Sequence, residues 1–198
     1  MRRKNIAIMG LDPAGVVMGA LLFQTGFMVD MIDPRGRGEP VPLENGVRIV
    51  GSLDVRLPLF YYKVEQIFKS YDAVFLTCED SAVPDNLERI RPYLKPKGTV
   101  CVLGTGESDF GRLKTVCGTK PVIGTMSINA RWEGSSVINC TSSARHMVYD
   151  HLFELGEIDN TVTPRLLATK SLLENIGLCS ISQGVWDDLG AEYRMPGQ

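Results

Sequence analysis

Between residues 5 and 33 the chain reads NIAIMGLDPAGVVMGALLFQTGFMVDMID, and this stretch narrows the choice of fold more than any other. A short apolar run, Ile6–Met9, ends in Gly10. Val17, Ala20 and Leu21 then recur at helical spacing within 14–25, and Gly26 supplies a helix stop. A second apolar run, Met28–Ile32, closes on Asp33-Pro34. Strand, helix and strand within about 30 residues make a β-α-β unit, which demands a parallel pair and a crossover.

The same alternation continues downstream. Val47–Val50 and Leu53–Leu59 read as short strands or extended segments, and Val64–Ser70 as a weak helix. Ala73–Cys78 is a buried strand, Val83–Leu94 a helix, Thr99–Leu103 a strand, Glu107–Val116 a helix and 121–124 a strand. The stretch from Pro34 to Gly46, with glycines and prolines interleaved, is an irregular loop. After Ser127 the texture changes: SINARWEGSSVINCTSS and HMVYDHLFELGEID read as extended, partly antiparallel strands. Pro164–Ile176 is a helix ending at Gly177, Leu178–Ile181 a strand, and 185–194 the start of a helix. The pattern predicts an α/β fold of Rossmann type: a doubly wound, mostly parallel sheet with added antiparallel strands in the C-terminal part.

Composition excludes several function classes. A net charge of −2 gives no bulk attraction to nucleic acid or to an anionic membrane. No apolar run approaches the ~20 residues of a membrane-spanning helix. The five cysteines form no C-x-x-C pair, and Cys78, Cys101 and Cys140 sit in apolar runs where cysteine acts as a small hydrophobe. The expectation is a reduced, cytoplasmic protein. His146 and His151 lack the spacing of a metal site, and no metal is expected.

The turn after the first strand carries the chemistry. In G-x-G-x-x-G the second glycine lets backbone approach a pyrophosphate at a helix N-terminus. Gly10 and Gly15 hold the outer positions here, but Asp12 stands at the middle one, with Pro13 next and Ala14 behind it. Asp12 is also a good helix N-cap with Pro13 at the first helical position. Two readings follow: a self-capped helix without nucleotide, or a loop that still binds phosphate through the Ala14 and Gly15 backbone. Asp33, at the end of the second strand, stands where a carboxylate commonly meets an adenosine ribose; a plain turn residue is the alternative. Arg35 and Arg37 stand where a 2′-phosphate would be met, so NAD and NADP both stay open.

The ordered segments IAIMGLDPAGVVMGALL, LENGVRIVG, DAVFLTCEDSAV, GTVCVLGTG, PVIGTMSINARWEGSSVI, LFELGEID and LLENIGLCSISQGVWDDL resemble the N-terminal part of the ketopantoate reductases (2-dehydropantoate 2-reductases). The resemblance implies a Rossmann-type domain over 1–183, NADPH as cofactor, and reduction of a 2-oxo acid to a 2-hydroxy acid. It also implies a second, helical domain, of which 184–198 is the remnant start. Five positions depart from the family pattern. Asp12 replaces glycine. Glu79 stands where the family has a Lys, and Thr105 where it has an Asn. In Trp186-Asp187-Asp188-Leu189, Asp188 occupies the place of the catalytic Lys, and Glu192 that of an Asn four residues on.

The reading is a ketopantoate-reductase-like protein degenerate at its catalytic and phosphate sites. It has weak or altered nucleotide binding at Gly10, Asp12, Ala14, Gly15, Asp33, Arg35, Glu79 and Thr105, and no catalytic residue of its own. Two alternatives stand beside it: an NAD(P)H-dependent reductase completed by another chain or domain, and a non-enzymatic interaction module. A homodimer or a heteromeric partner is expected, and neither nucleic acid nor membrane.

Overall fold

The computed structural model describes residues 3–34, 46–77, 83–104, 121–134, 136–142 and 151–182. The β-α-β unit forms as its pattern predicts: β1 (Asn5–Met9), α1 (Pro13–Gln24) and β2 (Met28–Asp33). β3 (Val47–Gly51), β4 (Val55–Leu57) and β5 (Phe60–Lys63) follow, then β6 (Tyr71–Leu76), α2 (Val83–Ile90), β7 (Leu94–Leu103) and β8 (Val122–Met126). β9 (Ala130–Trp132), β10 (Val137–Cys140), β11 (His151–Gly156), α3 (Pro164–Leu173) and β12 (Leu178–Ile181) complete the described elements.

Eight strands form the main sheet in the order β12-β11-β8-β7-β6-β1-β2-β5. All neighbours are parallel except β8 and β11, which run antiparallel. The chain leaves β1 toward β2 on one side and returns to β6 on the other, so the order reverses between β1 and β6. That switch point leaves a crevice at the carboxyl ends of these strands. A second sheet, β4-β3-β10-β9, joins segments far apart in sequence, with β10 parallel to β3 and antiparallel to β9.

The small sheet explains the composition of α1. This helix packs on β1 and β2 on one side and on β9 and β10 on the other. Gly15 through Ala20 are all buried, so almost no polar face is needed. One continuous core results, running from Ile8 and Met31 through Val17 and Met18 to Ile49 and Ile138. α3 packs against the same face of the main sheet through Leu166, Leu172 and Leu173. On the opposite face α2 presents one apolar stripe, Val83, Leu87 and Ile90, to Val74, Leu76, Val100 and Val102.

The structure corrects four local expectations. Residues 53–59 are not one strand: β4 is short, and an unexpected β5 pairs with β2. Residues 64–70 make a single 3-10 turn, Val64–Gln66, rather than a helix. The α2 helix ends at Ile90, with a 3-10 turn over Arg91–Tyr93, and strand begins at Leu94, so KPKG lies in β7 rather than in a stop before it. α3 ends at Leu173, three residues early. The expected helices at 107–116 and 185–194 lie outside the described residues, as does most of the 34–46 loop.

Candidate functional site

The crevice at the switch point is built from the turn after β1 and the residue after β6. Gly10 turns the chain with φ 137°, a backbone conformation that side chains with a Cβ rarely adopt. Its N–H donates to the Ile32 carbonyl at 3.0 Å, and the Thr77 N–H donates to the Met9 carbonyl at 3.0 Å. The turn is therefore stitched to β2 on one side and to the end of β6 on the other.

Asp12 caps α1. With φ −64° and ψ 148° it is extended, Pro13 follows at the first helical position, and the Gly15 N–H donates to Asp12 Oδ1 at 2.8 Å. The side chain thereby occupies a donor that a pyrophosphate at this helix start would need. Its other oxygen is buried. Asp12 Oδ2 and Thr77 Oγ1 face each other over the Gly15 Cα, and neither completes a hydrogen bond. A Cβ built on Gly15 would stand 2.3 Å from Thr77 Oγ1 and 2.7 Å from Asp12 Oδ2. Burial pushes the Asp12 carboxyl above the ordinary carboxylate range, against the opposing pull of the Gly15 amide. Asp12, Gly15 and Thr77 form a small closed contact at the start of α1. In this arrangement its residues do not fit a pyrophosphate.

Trp132 of β9 closes the turn from the small sheet, its indole Nε1–H donating to the Leu11 carbonyl at 3.3 Å. Asp33 ends β2 at 1% exposure, and its Oδ2 accepts from the Tyr61 hydroxyl of β5 at 2.8 Å. This contact holds β5 against β2. Arg89 of α2 donates to the Pro34 carbonyl and, at 2.9 Å, to Glu65, which ties α2 to the end of β2.

Of the positions expected from sequence, the structure brings Gly10, Asp12, Ala14 and Gly15 into one turn and sets Asp33 on the neighbouring strand. Arg35, Glu79, Thr105, Asp188 and Glu192 lie outside the described residues. Thr77, Tyr61 and Trp132 are the additions. Thr77 carried a signal, since it directly follows an apolar strand at the switch point. Tyr61 carried none, because β5 is indistinguishable in the sequence from the extended segment before it.

The family model for ketopantoate reductase PanE/ApbA matches residues 6–152, well over half the chain. The chain belongs to that family. Solved structures with the same fold include a 2-dehydropantoate 2-reductase from Geobacter metallireducens, at 21% identity and a TM-score of 0.72, matching 90% of this chain and 58% of that one. A second, described as the putative 2-dehydropantoate 2-reductase from Enterococcus faecalis, matches at 20% identity and a TM-score of 0.77, over 95% of this chain and 60% of that one. A third, a D-mandelate dehydrogenase solved with NADH and anilino(oxo)acetate, matches at 19% identity and a TM-score of 0.73, over 91% and 57%. Likeness at this identity shows the shared fold. The chain spans less than two thirds of each of these ketopantoate reductases and of the mandelate dehydrogenase. No curated protein matches it by sequence. Among the described residues no helix is long and apolar enough to cross a membrane.

Proposed function

We propose that this member of the ketopantoate reductase family has a degenerate dinucleotide site: it binds NADPH, NADP or NAD weakly and does not reduce 2-dehydropantoate on its own. One observation carries the reading, the Gly15 amide held by the Asp12 carboxylate at 2.8 Å where the turn would otherwise receive phosphate. An ionised carboxylate about 4 Å from a phosphate charge, at an effective dielectric near 20, opposes binding by about 4 kcal/mol. The four acidic departures from the family pattern, Asp12, Glu79, Asp188 and Glu192, act in the same direction. In particular, an ionised Asp188 cannot donate a proton to a developing alkoxide, and losing such a donor typically lowers the rate ~100- to 1000-fold.

Calorimetric titration with NADPH, NADP and NAD at physiological salt tests the reading. Wild-type binding is expected to be weaker than micromolar, and Asp12→Gly to bind about tenfold tighter or more. Micromolar or tighter binding by the wild-type chain overturns it.

A second reading is a 2-oxo acid reductase completed by another chain or domain. Its support is the shared fold with the mandelate dehydrogenase described with NADH and anilino(oxo)acetate. Micromolar NADPH binding without turnover of 2-dehydropantoate by this chain alone would favour it. A partner belongs to either reading. Val162, Leu167 and Leu178, each 42–50% exposed, offer apolar surface on and around α3 and β12. Self-association in light scattering is the expected result, and a monomer at all concentrations argues against it.

A further inference from the structure

At the opposite end of the main sheet a cleft of about 430 Å³ opens between α3 and the amino-terminal ends of β1, β6 and β7. Three lysines line it, Lys4, Lys95 and Lys97, against a single carboxylate, Asp72. Lys95 Nζ lies 2.6 Å from Asp72 Oδ2, which also accepts the Asn5 N–H at 2.8 Å. Burial works against charge on Asp72, but these donors prevail and hold its carboxyl below the ordinary range. Asp72 is thus engaged by Lys95 and also feels the Lys4 charge, while neither Lys4 nor Lys97 comes within ion-pair distance of a carboxylate among the described residues. The helix side of the cleft is formed by Ala168, Thr169 and Leu172 of α3, with the Thr169 hydroxyl donating to the Arg165 carbonyl.

Positive charge at one rim and an apolar wall at the other select an occupant with both properties. The volume is that of a small-molecule pocket, which typically holds 300–1,000 Å³. We propose that this cleft binds a small amphipathic carboxylate, its head between Lys4 and Lys97 and its apolar body against Ala168 and Leu172. Six residues of extended chain separate Lys4 from Gly10, about 20 Å. The cleft is therefore distinct from the switch-point crevice, and its occupancy does not depend on how the nucleotide reading is resolved.

The test uses the full chain with decanoate as probe, decanol as the uncharged control and inorganic phosphate as the charge without a body. Calorimetry measures affinity, and amide shifts in two-dimensional NMR locate the site. Decanoate is expected to bind saturably, with shifts concentrated at Asp72, Lys97 and Ala168, while both controls bind far more weakly. The double variant Lys4→Glu/Lys97→Glu changes exposed side chains and is expected to weaken decanoate about tenfold. Ala168→Trp, on an exposed helical position, fills the cleft and is expected to abolish the localised shifts. Non-saturating binding, decanol binding as well as decanoate, shifts located elsewhere, or shifts that persist in Ala168→Trp each overturn the proposal. If the charge-reversed chain loses its far-UV dichroism, Ala168→Trp alone decides.

Discussion

Asp12 performs two opposed tasks. As an N-cap it satisfies the Gly15 amide, a contribution of about 1 kcal/mol in typical helices. As a buried anion facing Thr77 it loses hydration without a full set of donors. Because its folded-state pKa is raised, the folded protein holds the proton more tightly than the unfolded chain does. Stability from this group is fully present below the unfolded carboxylate value and is lost as pH rises through the raised folded value. Asp12→Asn keeps the cap and removes the charge. It is expected to melt above wild type at pH 7, with the gap closing as pH falls below the ordinary carboxylate range; thermal melts over pH 3–8 measure this. Gly15 makes a sharper steric prediction. Gly15→Ala drives a methyl into Thr77, whose β-branched side chain has little freedom to yield. A loss of about 1–3 kcal/mol in urea titration is expected, partly recovered in Gly15→Ala/Thr77→Ala.

At the level of single elements, the start of α3 is held by an internal ion pair. Thr163 caps the helix, its hydroxyl accepting from the Leu166 N–H at 3.2 Å and donating to Glu157. Arg165, on the first turn, grips Glu157 with both Nε and Nη2, and Glu157 is 1% exposed. Arg165→Met strips the main cationic partner from a buried carboxylate and is expected to destabilise the protein by about 2–3 kcal/mol in urea. That is less than the 3–5 of a fully enclosed pair, because the Arg165 side chain keeps 30% of its surface in water. The double change Arg165→Met/Glu157→Gln should cost less than the single one, since the stranded charge is gone. β2 carries a similar arrangement in its interior. The Asp30 carboxylate meets Lys69 at 2.7 Å and the Tyr71 hydroxyl at 2.9 Å, and burial together with Asp30 drives the Tyr71 pKa far upward.

The described residues are expected to unfold as one cooperative body, because the larger of the two cores passes from the main sheet through α1 into the small sheet. Ile138 of β10, fully buried, touches that core from the far side. Ile138→Ala is expected to cost about 2–5 kcal/mol. Melts followed by far-UV dichroism and, in a Trp186→Phe background, by Trp132 fluorescence should shift together. Separate transitions would show the small sheet to be an independent unit, contrary to its packing. The same continuity makes Trp132 sensitive to the turn: loss of its N–H in Trp132→Phe removes the contact to Leu11 and is expected to cost about 0.5–1.5 kcal/mol.

Local rules were enough for the β-α-β opening, the Asp12 cap with Pro13 behind it, the buried strand before Thr77 and the apolar stripe of α2. Each of these is written within a few residues, where helical period, capping chemistry and glycine punctuation act. The ordered motifs also carried the family. Only tertiary packing set the pairing of β10 with β3, the insertion of β5 beside β2, and the strand character of Leu94–Gly98, where proline and glycine read as a stop. Strands of three to five residues hold too little pattern to name a partner about 90 positions away, and only the shared burial of α1 between two sheets selects it. The same holds at the crevice. Asp12 and Asp33 were legible as residues, but their surroundings were not: Thr77 and Tyr61 reach them from other strands.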